Sequence, residues 1–508
     1  MQLSEPLGAL SIAADLATGR PRGSGLTATV VSVALAQKLG MSVEDQKVIY
    51  FLAAVRYLGC TITSHETSLV ALGDDQGFAV ATMLGDWADP DDLYEHLDRF
   101  IAHDAAPKER EDAFSFIIGM LGEQAADFTG AHCRQSHLIA KRFPLPKQVC
   151  DYIPYYYARW DGKILPHKGE DIPYIARVFR VAEMAELIRR FDTPAEARRI
   201  VEAKAGKELD PDICRVFLDN ADEIFAATGT TAEFERFVSA EPGEPVMLTP
   251  ACAEALAQSA ADMIDHKSVY FAGHSRRVSA LSSAAAQVMN LPPEQVTRLR
   301  QAALVHDIGK SAISNRIWYK PSALSVSERL EMEGHSYQTE LILSHAEPFS
   351  SWSHIAASAQ ERADGSGYHR RVRQLDVSCN ILAAANEYDE LTHDQSNRKA
   401  ISAEKAGDIL NKAANDLKFL PTAVAAVLQA AGHKVKDVKK AYPFGLTRRE
   451  AQVLSRLAIS ETTAEIADAL NISPKTADHH IQNIYNKTGT RGRPAIALLA
   501  MEYGIVME

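Results

Sequence analysis

The stretch AAAQVMNLPPEQVTRLRQAALVHDIGK, Ala284–Lys310, registers without a gap on ALAQKLGMSVEDQKVIYFLAAVRYLGC, Ala34–Cys60, at an offset of 250. The correspondence resumes later in the chain. RWDGKILP at Arg159–Pro166 stands where RADGSGYH at Arg362–His369 stands, and ARRIVEAKAGKELDPDICRVFL parallels AGDILNKAANDLKFLPTAVAAVL. Similarity of this kind marks a structural module present twice. The first copy runs from about Leu7 to Asp222 and the second from about Ala251 to Gly432.

Apolar residues recur at spacings of three and four through both copies, the pattern of amphipathic helices. In HSRRVSALSSAAAQVM, for example, Val278, Leu281, Ala285 and Val288 fall on one helical face. Convincing alternating runs are few, so the expected fold class is all-α. Between the copies, AATGTTAEFERFVSAEPGEPVMLTP has the Gly, Pro and Thr of a connector. After the second copy, GHKVKDVKKAYPFG reads as a basic linker with Lys434, Lys436, Lys439 and Lys440. The expected domains are 1–235, 236–437 and 438–508.

A chain of 508 residues with 46% hydrophobic and 24% charged residues has the composition of a globular protein with sizeable cores. The net charge of −12 argues against a chain that binds nucleic acid over its whole surface, but leaves room for one small DNA-binding module. No basic region precedes an apolar core at MQLSEPLGAL, and no apolar run approaches the ~18 residues of a membrane span. The six cysteines are scattered without a C-x-x-C pair and read as reduced thiols. Together these features predict a cytoplasmic protein with no membrane partner.

His306 and Asp307 are adjacent at the end of the helix predicted over EQVTRLRQAALV. Side chains one residue apart on a helix diverge, unless a divalent metal draws both inward. Imidazole suits Zn, Fe or Mn, and a carboxylate suits harder cations. His274 in YFAGHSRRV and His335 in EMEGHSYQT are further candidate ligands, while Lys310 brings a cation close to the same centre, where an anionic phosphate would be held.

His274, HDIGK, EGH and DGSGY, in this order, resemble the HD-GYP branch of the HD phosphohydrolase superfamily. That resemblance covers about Ala251–Gly432. It implies an α-helical domain with one to three metal ions, and hydrolysis of cyclic di-guanylate in active members. It assigns metal-ligand roles to His274, His306, Asp307 and His335, with Asp307 and Lys310 as the catalytic residues of an active site. Two adjacent family histidines are Ala359 and Gln360 here, before Glu361. The later aspartate is Asn386, and the proline of the signature is His369. A second metal would keep only Asp307 and His335. One divalent ion on His274, His306 and Asp307, with Asn386 or water beside it, is the largest complement these residues allow.

At the corresponding positions the first copy has Ser24 for His274, Arg56 for His306, Tyr57 for Asp307 and Cys60 for Lys310. Further on it has His132 for His335, Tyr156 and Tyr157 for Ala359 and Gln360, and Glu183 for Asn386. No metal can be held there in the family's manner. The copy is expected to serve as a dimerisation or regulatory half. The aromatic segment YIPYYYARWDG either lines a ligand pocket or fills the vacated site; a further reading makes the second copy a module that holds a nucleotide or other small-molecule ligand, or one metal, without turnover.

In LTRREAQVLSRLAISETTAEIADALNISPKTADHHIQNIYNKTGTRGRPAIALLAMEYGIV, Thr447 and Glu450 form a capping box. A second helix over about Thr463–Leu470 carries Ile466, Ala467 and Leu470 on one face. Ser473 then makes an N-cap with Pro474 behind it. The next helix turns Ala477, Ile481 and Ile484 inward and Lys475, Asp478, His479 and Gln482 outward, a helix-turn-helix. From Phe444 onward, seven Lys and Arg balance seven Asp and Glu. The segment resembles the LuxR-type DNA-binding domain, a four-helix module of bacterial transcription regulators. Its pattern is met by Leu446–Glu450, Ile466–Ala467, Ser473–Thr476 and Lys487–Gly489. The resemblance implies that Asp478, His479 and Gln482 face base edges and that Lys475, Thr476, His480 and Lys487 hold phosphates, with Asn483 on the same DNA-facing surface.

These features predict a bacterial transcription regulator that binds double-stranded DNA as a homodimer, with its HD-GYP-like copies sensing a signal or mediating dimerisation. The alternative is a metal-dependent cyclic di-guanylate phosphodiesterase coupled to a DNA-binding domain.

Overall fold

The structure is a computed structural model describing residues 1–229, 232–320, 322–373, 375–434, 444, 446–502 and 505. The described residues are helices joined by turns, with isolated bridges and no strand among them. The all-α expectation holds. No described helix is long and apolar enough to cross a membrane. The six cysteines are free thiols, five of them buried.

The chain folds as two compact units. One comprises Met1–Ala280, Thr297–Gln360 and Asp389–Ile401; the other comprises Leu281–Val296, Glu361–Tyr388 and Ser402–Glu508. These units do not divide at the boundaries 235 and 437 expected from the repeat. The first unit joins the first copy to the histidine-bearing segments of the second through a buried polar contact. Lys267 is fully buried, with its ammonium 2.6 Å from Asp75. Asp75 also accepts from Ser314 Oγ (2.9 Å) and from the Asn315 backbone N–H (2.8 Å). Asn315 Nδ2 donates in turn to the carbonyls of Ser64 and Lys267. Burying a charge is tolerated when it is paired and hydrogen-bonded in this way.

Equivalent positions of the two copies make equivalent backbone contacts. Gly25 N–H donates to Asp15 and Ser275 N–H to Asp265, at 3.1 and 3.2 Å. Gly59 presses against the helix Pro107–Ala140 at His132, and Gly309 against the helix His335–Leu343 at His335. A Cβ on Gly59 would stand 2.4 Å from His132 O, and one on Gly309 1.9 Å from His335 O. Only glycine permits such an approach.

Two features were not legible in the repeat. From Cys60 to His132 is 72 residues, and from Lys310 to His335 is 25, so the first copy carries 47 more here. They form the helices Ser64–Val70, Asp75–Leu84 and Pro90–Phe100 and the first part of Pro107–Ala140. This segment has a core of its own in which Phe78, Leu93, Leu97, Phe114 and Ile117 are buried. The connector, in turn, contains a helix, Glu233–Ser239, whose Phe237 is fully buried and stacks on Tyr50 at 5.2 Å. Most of the basic linker lies outside the described residues.

Candidate functional site

The helix Pro293–Val305 ends one residue before His306, and the chain then tightens into the 3-10 helix Ile308–Ala312. This turn is pinned from the side. Gly309 N–H donates to Thr339 Oγ1 (3.0 Å), whose hydroxyl donates to His306 O (3.1 Å). His274 opens the helix His274–Val288 directly after Gly273 at φ 71, and its ring centroid lies 5.2 Å from that of His306. One ligand atom each from His274, His306 and Asp307 falls within 4.8 Å of the others, and all three residues are buried.

The surroundings orient these ligands. His306 Nδ1 faces Ala303 O at 2.7 Å, which fixes that nitrogen as the donor and turns Nε2 toward Asp307 Oδ2 at 3.4 Å. His274 Nδ1 lies 2.7 Å from Asp389 Oδ2 and its Nε2 3.3 Å from Asp307 Oδ2. Asp389 is itself held by Arg277 at 2.8 Å. A carboxylate behind a histidine is the arrangement that orients imidazole toward a metal. Asp307 Oδ1 is buried without a hydrogen-bond partner, an acceptor that a bound cation would satisfy. The residues therefore fit one divalent ion on two nitrogens and one carboxylate, a donor set suited to Fe, Mn or Zn.

Charge in the site is balanced by protons. Burial works against ionisation of Asp307, but His306, Lys310 and His274 outweigh it and hold the carboxyl well below its usual range. Burial likewise opposes a charged His274, yet hydrogen bonds to Asp307 and Asp389 raise it to about 9. His306 is pushed down by burial. Loading a divalent ion requires the His274 Nε2 proton to leave.

The other sequence candidates are placed differently. Lys310 does not stand open for a phosphate: it is buried, 2.6 Å from Asp307 Oδ2 and beside the rings of Phe271 and Trp318. His335 is buried outside the three-ligand group, its Nδ1 2.6 Å from Met332 O, and burial pushes its pKa down to about 4. Asn386 is fully buried on the helix Val377–Thr392, three and four residues before Asp389 and Glu390. Gln360 Nε2 donates to Glu390 at 3.3 Å, and Ala359 is buried without a ligand atom. His369 has φ 95, a backbone that the proline of the family signature could not adopt. Sequence reasoning missed Asp389 and Arg277, although DEL at Asp389–Leu391 lies within one turn of Asn386 on the same predicted helix.

In the first copy the corresponding positions form an ion-pair core. Arg56 Nε lies 2.8 Å from Glu183 Oε1, and Tyr57 donates its hydroxyl to the same oxygen at 2.6 Å. Arg180 reaches the other oxygen at 2.7 Å. The Arg56 guanidinium sits among the rings of Tyr57, Tyr156 and Tyr157, at 4.3–4.7 Å from their centroids. Tyr156 is fully buried and donates to Leu52 O, so it fills space, whereas Tyr157 faces a cavity.

The C-terminal module follows its sequence closely. Capping boxes at Thr447/Glu450 and Thr462/Glu465 open the helices Arg448–Ala458 and Thr463–Ala469. Ser473 accepts from Thr476 N–H, Pro474 begins the helix Pro474–Thr488, and Gly489 ends it in the left-handed conformation. Ala477, Ile481 and Ile484 join a core with Ile466, Ala467 and Leu454. Lys475, Thr476, Asp478, His479 and Gln482 are exposed, while His480 and Asn483 are half-buried. Lys487 is not a free cation, since it pairs with Glu450 at 2.7 Å.

Residues 258–423 match the HD domain family, and residues 445–500 match the family described as bacterial regulatory proteins, luxR family. The chain thus carries an HD domain followed by a LuxR-type DNA-binding domain. Among its relatives, 3'3'-cGAMP-specific phosphodiesterase 3 of Vibrio cholerae is 24% identical over 81% of this chain and 90% of that protein. A cyclic di-GMP phosphodiesterase of Thermotoga maritima is 36% identical over 23% of this chain and 33% of its own length. The uncharacterized transcriptional regulatory protein YhcZ of Bacillus subtilis is 39% identical over 14% of this chain and 32% of its own. A crystal structure of a cyclic GMP-AMP specific phosphodiesterase of V. cholerae shares the fold, with a TM-score of 0.59 and 22% identity over 86% of this chain and 99% of that one.

Proposed function

We propose that this chain is a bacterial transcription regulator that binds duplex DNA as a cytoplasmic homodimer, with its HD-type copies taking up a signal or holding the dimer together. The observation that carries this reading is the helix Pro474–Thr488, which buries one face in a capped helical core and leaves Lys475, Asp478, His479 and Gln482 on an exposed face. A recognition helix needs this division: one side fixes its orientation, and the other reads base edges in the major groove. Selection from a randomised duplex pool is expected to enrich paired half-sites about one helical turn apart. Binding should weaken steeply with salt. Failure to enrich any site, or binding indifferent to Lys475→Ala and Gln482→Ala, would contradict the proposal.

A second reading is a metal-dependent phosphodiesterase acting on a cyclic dinucleotide. It is favoured by the convergence of His274, His306 and Asp307 and by the buried, unsatisfied Asp307 Oδ1. The names of the V. cholerae and T. maritima relatives supply the substrate class. A divalent ion bound there would provide Lewis-acid charge. Around it, Asp389 would hold His274 in place and Lys310 would offset the Asp307 charge. For a second ion Ala359 provides no ligand and Gln360 only a neutral amide, which ranks regulation above turnover. Linear product from 3'3'-cGAMP or cyclic di-GMP in the presence of Mn or Fe, abolished in Asp307→Ala, would reverse that ranking.

A further inference from the structure

The first copy has a partly open cavity of about 80 Å³ where the second has its ligand cluster. Arg56, Tyr57 and His132, the counterparts of His306, Asp307 and His335, line it. The 47 additional residues contribute Phe78, Ala79, Thr82, Met83 and Trp87 to the same lining. That segment has its own buried core, so it is an independent wall and not slack chain filling a void.

The chemistry of the lining is specific. Trp87 and Tyr157 lie at 6.1 Å with their planes 29° apart, and Phe128 meets Trp87 at 6.0 Å and the His132 ring at 4.7 Å. Rings presented face and edge in this manner receive another flat ring. The charges, in contrast, are already matched. Arg56 and Arg180 pair with Glu183, Arg180 and Lys204 with Glu208, and Arg159 with Asp86 and Asp161. Asp75 pairs with Lys267. His132 lies 2.7 Å from Thr63 Oγ1 and 2.9 Å from the Tyr157 hydroxyl, and burial and Arg56 lower it to about 3, so the ring is neutral. An entering anion finds no cation without a carboxylate partner, while a neutral ring finds apolar walls and a rim of hydroxyls. A closed apolar cavity of about 150 Å³ holds benzene, so about 80 Å³ in a cavity that is partly open takes no more than a single ring, one edge of which stays toward the opening.

We infer that this cavity is a binding site for an uncharged planar aromatic molecule of a single ring, such as a phenol or a pyrimidine base, separate from the metal-ligand cluster of the second copy. The site goes beyond the DNA-binding reading and does not depend on it.

Calorimetry on the intact chain with phenol, uracil and thymine tests the assignment, with phenyl phosphate as the anionic counterpart. At least one uncharged probe is expected to bind at one per chain. Ala79→Phe, which fills the cavity, and Trp87→Leu, which removes a ring from its wall, should each weaken binding at least tenfold with unchanged helical content. His274→Ala should leave it intact. Absence of binding by all three probes overturns the inference. So does tighter binding of phenyl phosphate, which would assign the cavity to anions. Binding that survives both cavity variants, or that is lost in His274→Ala, would move the site elsewhere and overturn it equally.

Discussion

The two copies solve one problem in opposite ways. Each folds helices around a buried polar centre that calls for positive charge. In the second copy that charge is exchangeable: a proton on His274 faces Asp307, where the donor set would also fit a divalent ion. In the first it is covalent, because Arg56 occupies the His306 position and pairs with Glu183 at the Asn386 position. A scaffold can thus outlive its metal site when a guanidinium replaces the cation and the acidic partner moves to meet it. Arg56 and Glu183 form a complementary exchange, while His306 and Asn386 leave the second copy short of one negative charge.

The sharpest way to break this comparison is Glu183→Ala. It leaves Arg56 unpaired and Arg180 with only Glu208, all within a buried core, so denaturant unfolding should show a loss of about 3–5 kcal/mol. Asn386→Ala at the matching position removes only a neutral amide and should cost about 1–3 kcal/mol. Equal losses would mean that Arg56 and Glu183 are not the core's organising pair. Next in size is Asp389→Asn, which removes the carboxylate orienting His274. Chelator competition should show metal affinity lowered by about 10–100-fold, with no parallel effect on the first copy.

Acid titration separates the copies further. Burial raises the Glu208 carboxyl, but Arg180, Lys204 and Arg159 outweigh it and bring the pKa down to about 2 from 4.5. A depressed acid gives stability that is complete above the unfolded pKa and lost as pH falls through the folded one. Unfolding monitored between pH 4.5 and 2 should therefore show a decline that is smaller in Glu208→Gln. The smallest effect expected is in the DNA-binding module. Lys475→Ala should lower the salt slope of DNA affinity by about one, whereas Lys487→Ala acts mainly through its lost pair with Glu450.

The helical class and the recognition helix were legible because they depend on local signals: apolar spacing, Thr447 and Ser473 as caps, Pro474 at the first turn. The three-ligand cluster was legible because His306 and Asp307 are adjacent. Other features required the fold. Asp389 and Arg277 are 112 residues apart and meet only in three dimensions. Val288, grouped by its spacing on one face with Val278, Leu281 and Ala285, lies at a helix end and is 37% exposed. The connector helix escaped notice because its Gly and Pro flanks dominated the pattern, although Phe234 and Phe237 stood within it. The pairing of Arg56 with Glu183 could have been inferred, since both are charge-changing substitutions at positions around the same centre.

The account turns on one copy holding a single cation site while the other supplies its own. Metal analysis of the intact chain, purified with Mn or Fe and repeated on Asp307→Ala, tests this most directly. One ion per chain, absent from the variant, is the predicted result. Two ions per chain, or metal retained without Asp307, would contradict it.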